Sequence, residues 1–165
     1  MGQFHLAQLN IGRIRGPIDS EIMAGFVALL DSVNALADQS AGFVWRLQDS
    51  AGDATSFRPF DDDASMLVNM SVWDSVETLR AFVYKSAHSE PLRRRAEWFE
   101  RPTQAYTALW WIPAGHIPSI AEAVERLEYR RAHGDTPYAF SFATPFPPPG
   151  SEHVIPKGPE CNWQE

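Results

Sequence analysis

The spacing of apolar residues divides this chain into an alternating series of strands and helices. Short apolar runs at 4–11, 42–49, 67–73 and 105–113 have the length typical of strands. Two other segments repeat apolar residues at helical spacing, one from Asp19 to Gln39 and one that begins after Trp73. The order strand, helix, strand, strand, helix, strand predicts an α+β protein with the split βαβ pattern and antiparallel sheet of ferredoxin-like folds.

Residues that typically begin and end helices predict one more helix after the fourth strand and, beyond it, the end of the domain. Ser119 and Glu122 form a capping box for an extra C-terminal helix that we expect to stop at Gly134. Beyond it, "AFSFATPFPPPG" predicts a short strand that runs into a proline-rich tail. We therefore predict one domain over residues 1–146 and a C-terminal tail over 147–165.

The connections carry weaker signals. Asp74 and Glu77 approximate a capping box for the second main helix, and Pro91 should break that helix in two. The stretch from Asp49 to Asp63 is polar, and we expect the triplet "DDD" within it to be a solvated loop.

The strands look apolar on both sides, which bears on oligomeric state. Right-handed crossovers would place both main helices on one face of the sheet. Simple alternation puts Phe43 and Trp45 on one side of the second strand and Val44 on the other, so neither side is polar. A second copy of the chain would bury the face that the helices leave open, and we predict a homodimer.

Composition excludes several classes of partner. The net charge of -7 and the isoelectric point near 5.2 disfavour nucleic acid and anionic membranes, because both require a basic surface. The one cysteine, Cys161, allows neither an internal disulfide nor a cysteine-based metal cluster, which fits a reducing cytoplasm. No apolar run approaches the roughly 18 residues of a membrane span, and the hydrolase, nucleotide-binding and zinc-protease motifs are missing. We expect a cytoplasmic protein without a metal.

The segment "NMSVWDS" sets an amide, a hydroxyl and an indole on one face of the third strand. Asn69, Ser71 and Trp73 alternate with the apolar Val68 and Met70. One reading is that these three residues line a pocket beneath the helices, with the indole as a stacking surface. The other is that Trp73 belongs to the core and Asn69 bonds to the backbone.

Two further residues are candidates because of their position. Arg46 lies on a central strand and needs an anionic partner there, from the protein or from a ligand. His88 lies in the break between two helices, where an imidazole could act as a general acid or base or as an axial haem ligand. A histidine at a helix break is also often a cap or a surface residue.

Longer segments add a family resemblance. The segment "LVNMSVWDSVETLRAFVYKSAHSEPLRRRAEWF" resembles the dimeric α+β barrel superfamily, which includes the antibiotic biosynthesis monooxygenases. The openings "HLAQLNIGRIRGP", "GFVWRLQD" and "LWWIPAGHIP" resemble a bacterial domain family of unknown function that is related to those monooxygenases, over roughly 4–146. In the cofactor-independent, quinone-forming monooxygenases an Asn, a Trp and an Arg line a pocket between sheet and helices. The resemblance implies that these roles fall to Asn69, Trp73 and Arg93, while the pocket tyrosine has no clear counterpart at Leu79 or Tyr84.

Two classes of function follow. The first is an enzyme that acts on an aromatic or polycyclic metabolite without metal or flavin, by oxygenation, isomerisation or cyclisation. Its candidate catalytic residues are His88, Arg93 and Asn69, and its candidate substrate-binding residues are Trp73, Ser71, Arg46, Tyr84 and Trp111. The second is a non-catalytic binder of a hydrophobic metabolite or of haem, which haemin titration would reveal through a Soret shift that His88→Ala abolishes.

The dimer is the first testable prediction. Light scattering at micromolar protein concentration should report about twice the chain mass of 18.5 kDa. A clean monomer would remove the dimeric barrel arrangement.

Overall fold

The computed structural model describes residues 2–60, 63–87 and 89–158, and within them four strands form one antiparallel sheet. The strands are β1 (Phe4–Arg13), β2 (Phe43–Arg46), β3 (Met66–Trp73) and β4 (Thr107–Pro113). They lie in the order β2-β3-β1-β4, and each neighbouring pair is antiparallel. Helix α1 (Ala24–Asp38) connects β1 to β2, while α2 (Val76–Lys85) and α3 (Ser89–Arg94) lie between β3 and β4. This topology confirms the predicted ferredoxin-like α+β fold.

Helix ends follow local capping chemistry. The extra helix, α4 (Ile120–His133), begins where Ser119 Oγ accepts the Glu122 N–H at 3.1 Å and ends at Gly134, whose φ is +75°. Both predictions for α4 are confirmed. The cap of α2 is Ser75 and not Asp74, because the Ser75 hydroxyl accepts the Thr78 N–H at 3.2 Å. No helix within the described residues is long and apolar enough to cross a membrane.

The two faces of the sheet are covered by different parts of the chain. The side that carries α1 and α2, here named the helix face, packs Leu6, Trp73 and Leu109 against both helices and the C-terminal segment. The opposite side, named the α4 face, packs β-strand residues such as Leu9 and Trp110 against α4. Alternation along each strand therefore supplies two separate cores.

The α4 face does not need a second copy of the chain to cover it. Besides α4, the segment between β2 and β3 lies against this face, with Phe57 and Phe60 packed on the buried residues. The stretch at 49–63, although polar in composition, therefore contributes two aromatic side chains to the α4 face. Asp61 and Asp62 of the acidic triplet lie outside the described residues. The homodimer stays a prediction, and it loses the argument from an open sheet face.

Strand β2 contains a bulge that changes which face its residues occupy. Phe43 pairs with Trp73 whereas Trp45 pairs with Val72, so the register shifts at Val44. Phe43 packs on the helix face and Trp45 on the α4 face, while Val44 is 41% exposed. The prediction that Phe43 and Trp45 lie on the same side of β2 was wrong, because simple alternation assumes a strand without a bulge.

The C-terminal segment packs against the helix face without forming the predicted strand. A single bridge joins Phe140 to Leu109, with N–O distances of 2.8 and 2.9 Å. Four prolines between 145 and 149 have no N–H to extend a ladder. The chain nevertheless stays in contact, because Ile155 is buried in the core and Gly158 N donates to Phe142 O at 2.8 Å.

Adjacent residues of this segment provide a stability test. Ile155→Ala should lower the free energy of unfolding by roughly 2 kcal/mol, because Ile155 is 6% exposed and its loss leaves a cavity. Val154→Ala should change it by less than about 0.5 kcal/mol, since Val154 is 83% exposed. Urea denaturation of both variants measures the difference, and equal effects would contradict a core role for Ile155.

Candidate functional site

A set of hydrogen-bonded polar side chains lies across β1 and β3 on the helix face. Gln8 is directly opposite Ser71, and Asn10 is opposite Asn69. Gln8 Nε2 donates to Asn69 Oδ1 at 2.8 Å and to Ser71 Oγ at 3.2 Å. Trp73 Nε1 donates to the same Ser71 Oγ at 2.8 Å. We name Gln8, Asn69, Ser71 and Trp73 the amide–indole network.

The network lies between two apolar clusters that the helices help to build. One cluster contains Leu6 and Trp73, and the other contains Leu67 further along β3. Helix α1 contributes to both clusters, through Ala37 to the first and through Phe26 to the second. The α1 residues between these points, including Leu30 and Val33, are only half-buried. Since side chains three and four apart share one side of a helix, the middle of α1 presents apolar surface towards the network without closing over it.

The Asn69 side chain is the exposed end of the network. Its neighbours Val68 and Met70 point to the α4 face and are 4% and 2% exposed, whereas Asn69 points to the helix face and is exposed. Within the described residues, the Asn69 amide N–H group and the Gln8 carbonyl have no hydrogen-bond partner. The Asn69 N–H group is therefore free to donate to a ligand oxygen, and the Gln8 carbonyl is free to accept from a ligand donor.

Trp73 belongs to the core. Its ring is fully buried and lies 5.1 Å from Phe82 in a stacked arrangement and 5.5 Å from Phe43 in an edge arrangement. The stacking surface expected for a ligand is therefore occupied by protein rings. The alternative prediction that Asn69 bonds to the backbone was wrong, because the Asn69 side chain bonds to the side chain of Gln8.

The anionic partner of Arg46 is supplied by the protein. Arg46 Nε and Nη2 donate to the two Asp38 carboxylate oxygens at 2.7 and 3.2 Å, and Nη1 donates to Gly52 O at 2.6 Å. The Arg46 side chain is only 12% exposed. This bidentate pair holds the end of α1 against β2, so the structure gives Arg46 a structural role.

Tyr84 and Trp111 lie under the C-terminal segment. Trp111 Nε1 donates to Phe146 O at 2.8 Å, and the Tyr84 ring lies 5.8 Å from the Phe142 ring. Trp111 also lines a cavity of about 340 Å³ together with Phe4 and residues of the 148–155 segment. No hydrogen bond joins Tyr84 or Trp111 to the amide–indole network.

Arg93 lies on α3, and its surroundings bear on the predicted catalytic role. Arg93 is exposed and makes no hydrogen bond to Asn69 or Trp73. Its neighbour Arg94 pairs with Glu97 at 3.0 Å and lies 4.9 Å from the Trp98 ring centre. His88 lies outside the described residues. The structure thus joins Asn69, Ser71 and Trp73, and the addition of His88 and Arg93 to that group stays a prediction.

Gln8 is the network member that was not predicted from the sequence. The available signal was the alternation in "HLAQLN", which places Gln8 and Asn10 on one side of β1. That alternation does not reveal which residues of β3 they face. The β1–β3 register supplies this information, and it depends on packing across the whole sheet.

The clearest partly buried titratable group is Glu122, on the other side of the sheet. Its Oε1 accepts the Trp110 indole N–H at 3.0 Å and its Oε2 lies 2.8 Å from His116 Nε2. Burial raises the pKa of Glu122, but the hydrogen bonds from His116 and Trp110 outweigh it and lower the pKa overall. No group of three or more His, Cys, Asp or Glu residues suited to a metal occurs within the described part of the chain.

Glu122 should make stability depend on pH. Because its pKa is lower in the folded state than the usual 4.5, its contribution is present above that value and is lost as the pH falls through the folded-state pKa. Glu122→Gln should cost on the order of 1 kcal/mol at pH 7 and weaken the loss of stability in acid. Urea denaturation between pH 7 and 3 measures this, with the exposed Glu21→Gln as the control. An unchanged pH profile in Glu122→Gln would contradict the assignment.

The fold and the network define a ferredoxin-like α+β protein with an uncovered amide on its helix face. Residues 5–156 match the family described as Domain of unknown function (DUF3291), and the chain belongs to this family. The match confirms the resemblance to a family of unknown function and extends into the C-terminal segment. No curated protein matches the chain.

Several solved structures are distantly similar. The protein of unknown function NE2512 from Nitrosomonas europaea is 14% identical, with a TM-score of 0.42 over 71% of this chain and 97% of its own. Rv0793 from Mycobacterium tuberculosis is 17% identical, with a TM-score of 0.42 over 70% and 99%. A Nitrosomonas europaea protein named as a candidate antibiotic biosynthesis monooxygenase is 13% identical, with a TM-score of 0.43 over 72% and 97%. The fold assignment rests on strand order and not on these likenesses.

Proposed function

We propose that this protein binds a small aromatic or polycyclic molecule on the helix face and acts on it without metal or flavin. The observation that carries the proposal is the exposed Asn69 amide, held by Gln8 between two apolar clusters. Apolar surface with a few fixed polar groups is the usual composition of a small-molecule site. Half-buried Leu30 and Val33 of α1 would contact the rings, and Asn69 would orient a carbonyl.

Arg93 would supply the charge that the network lacks. It is exposed, and within the described residues its guanidinium has no hydrogen-bond partner, so it is available to a phenolate or carboxylate oxygen. In this proposal His88 moves the proton, because an imidazole exchanges protons near neutral pH.

The oxygenation would use molecular oxygen as its co-substrate. A ring methylene activated by a neighbouring phenolate or carbonyl loses a proton, and the resulting carbanion transfers electrons to oxygen. One oxygen atom becomes the new ring carbonyl and the other leaves with the two methylene hydrogens as water. Isomerisation or cyclisation would require the same proton transfer without oxygen.

A non-catalytic binder is the second candidate, and one observation favours it. The amide–indole network consists of two amides, a hydroxyl and an indole, and no titratable side chain of the described residues hydrogen-bonds to it. Such a site can orient a ligand but cannot itself transfer a proton. A haem-binding version would depend on His88 and would show a Soret shift with haemin that His88→Ala abolishes.

Arg93 and Arg94 provide a matched test of the enzymatic proposal. With 9-anthrone as the probe, the protein should consume one oxygen molecule for each anthraquinone formed. Arg93→Ala should weaken probe binding by roughly 1.5 to 3 kcal/mol, the scale of a charged hydrogen bond. Arg94→Ala should have little effect on binding, because the Arg94 guanidinium is already held by Glu97 and Trp98.

Oxygen uptake and anthraquinone absorbance follow turnover, and fluorescence titration follows binding. Binding without oxygen uptake would favour the non-catalytic binder. Equal losses in the two arginine variants would remove Arg93 from the site, and no binding of the probe would contradict this ligand class.

A further inference from the structure

Gln8 determines which side of the Asn69 amide faces outward. Its Nε2 group has two protons, and both are donated, one to Asn69 Oδ1 at 2.8 Å and one to Ser71 Oγ at 3.2 Å. Asn69 is therefore held by its oxygen, and its NH₂ group is left for other partners.

The position of Gln8 is itself fixed by buried groups. Ser71, directly opposite Gln8 in the β1–β3 ladder, is 8% exposed and also accepts the indole N–H of the fully buried Trp73. The chain of contacts from Trp73 through Ser71 and Gln8 thus connects the core to the exposed Asn69. A displacement of Gln8 would leave the Asn69 oxygen without its donor.

We propose that Gln8 is a positioning residue that makes the site present an N–H donor, so that it prefers neutral ligands with a carbonyl acceptor over ligands that offer mainly a hydroxyl donor. The inference rests on the proposed function, since it concerns the ligand of the same site. Its physical basis is that a ligand carbonyl accepts directly from the exposed Asn69 NH₂ group, whereas a ligand donor placed there would meet only N–H bonds and would have to turn to the half-buried Gln8 carbonyl instead. A binding site whose polar groups hydrogen-bond one ligand discriminates against a second ligand that leaves those polar groups without a hydrogen bond.

The orientation can be tested without any ligand. In ¹⁵N-labelled protein, the Gln8 NH₂ protons should exchange slowly with water and the Asn69 NH₂ protons quickly, with signals assigned through Asn69→Asp and Gln8→Glu. In Gln8→Glu the introduced carboxylate only accepts, so Asn69 should turn to donate and its NH₂ protons should become protected. Protected Asn69 NH₂ protons in the unsubstituted protein would overturn the proposal.

Ligand preference forms the second arm of the experiment, with two neutral bicyclic probes of similar size. Calorimetry should show that 1-tetralone, which only accepts, binds more tightly than 1-naphthol. Gln8→Glu should weaken tetralone binding roughly tenfold, the scale of one hydrogen bond, and strengthen naphthol binding. Gln104→Glu, the same change at an exposed position, should alter neither. An unchanged preference in Gln8→Glu would overturn the selective role.

The two arms separate this inference from the proposed function. Suppose that the NH₂ protons exchange as expected but neither probe binds. This result would support the orientation of Asn69 by Gln8, and it would contradict both the proposed ligand class and the proposed ligand preference. If Gln8→Glu does not fold, Gln8→Met removes both hydrogen bonds at similar volume. The Gln8→Met variant should lose tetralone affinity without gaining naphthol affinity, and unchanged tetralone affinity would overturn the role of Gln8.

Discussion

The pairing of β1 with β3 is the constraint on which the rest of the structure depends. This central ladder places Gln8 opposite Ser71 and Leu6 opposite Trp73, so the polar network and its adjoining apolar cluster arise from one register. A shift of one residue would turn the polar side chains of one strand towards the α4 core. Apolar clusters on both sheet faces make such a shift costly.

The polar side chains near the sheet are tolerated because they satisfy one another. The buried Trp73 indole and Ser71 hydroxyl would each cost about 1 to 3 kcal/mol if left without a partner. Their mutual bond removes that cost, and Gln8 extends the arrangement to the surface. Arg46 is accommodated in the same way, by a carboxylate from α1 and a backbone carbonyl.

The sequence predicted the element order, the Ser119 cap and the Gly134 stop because these depend on local spacing and backbone preference. It also placed Asn69, Ser71 and Trp73 on one face. It did not predict Gln8 as their partner, the packing of Phe57 and Phe60, or the reversal of Trp45, because these depend on contacts between distant segments. Arg46 illustrates the same difference: its predicted place on a central strand was wrong, because β2 is an edge strand, and the choice of Asp38 as its partner required the folded chain.

The bulge at Val44 makes a single exposed residue responsible for the placement of a charge. Because β2 gains one residue there, Arg46 emerges beside Ser71 and reaches the carboxylate at the end of α1. If the bulge were flattened, so that Val44 itself paired with Val72, Arg46 would lie opposite Met70 and its guanidinium would be directed towards the apolar α4 core. In evolutionary terms, this surface position should accept many side chains, and even its deletion should leave Arg46 opposite Ser71, because the residues on either side of Val44 pair with consecutive residues of β3.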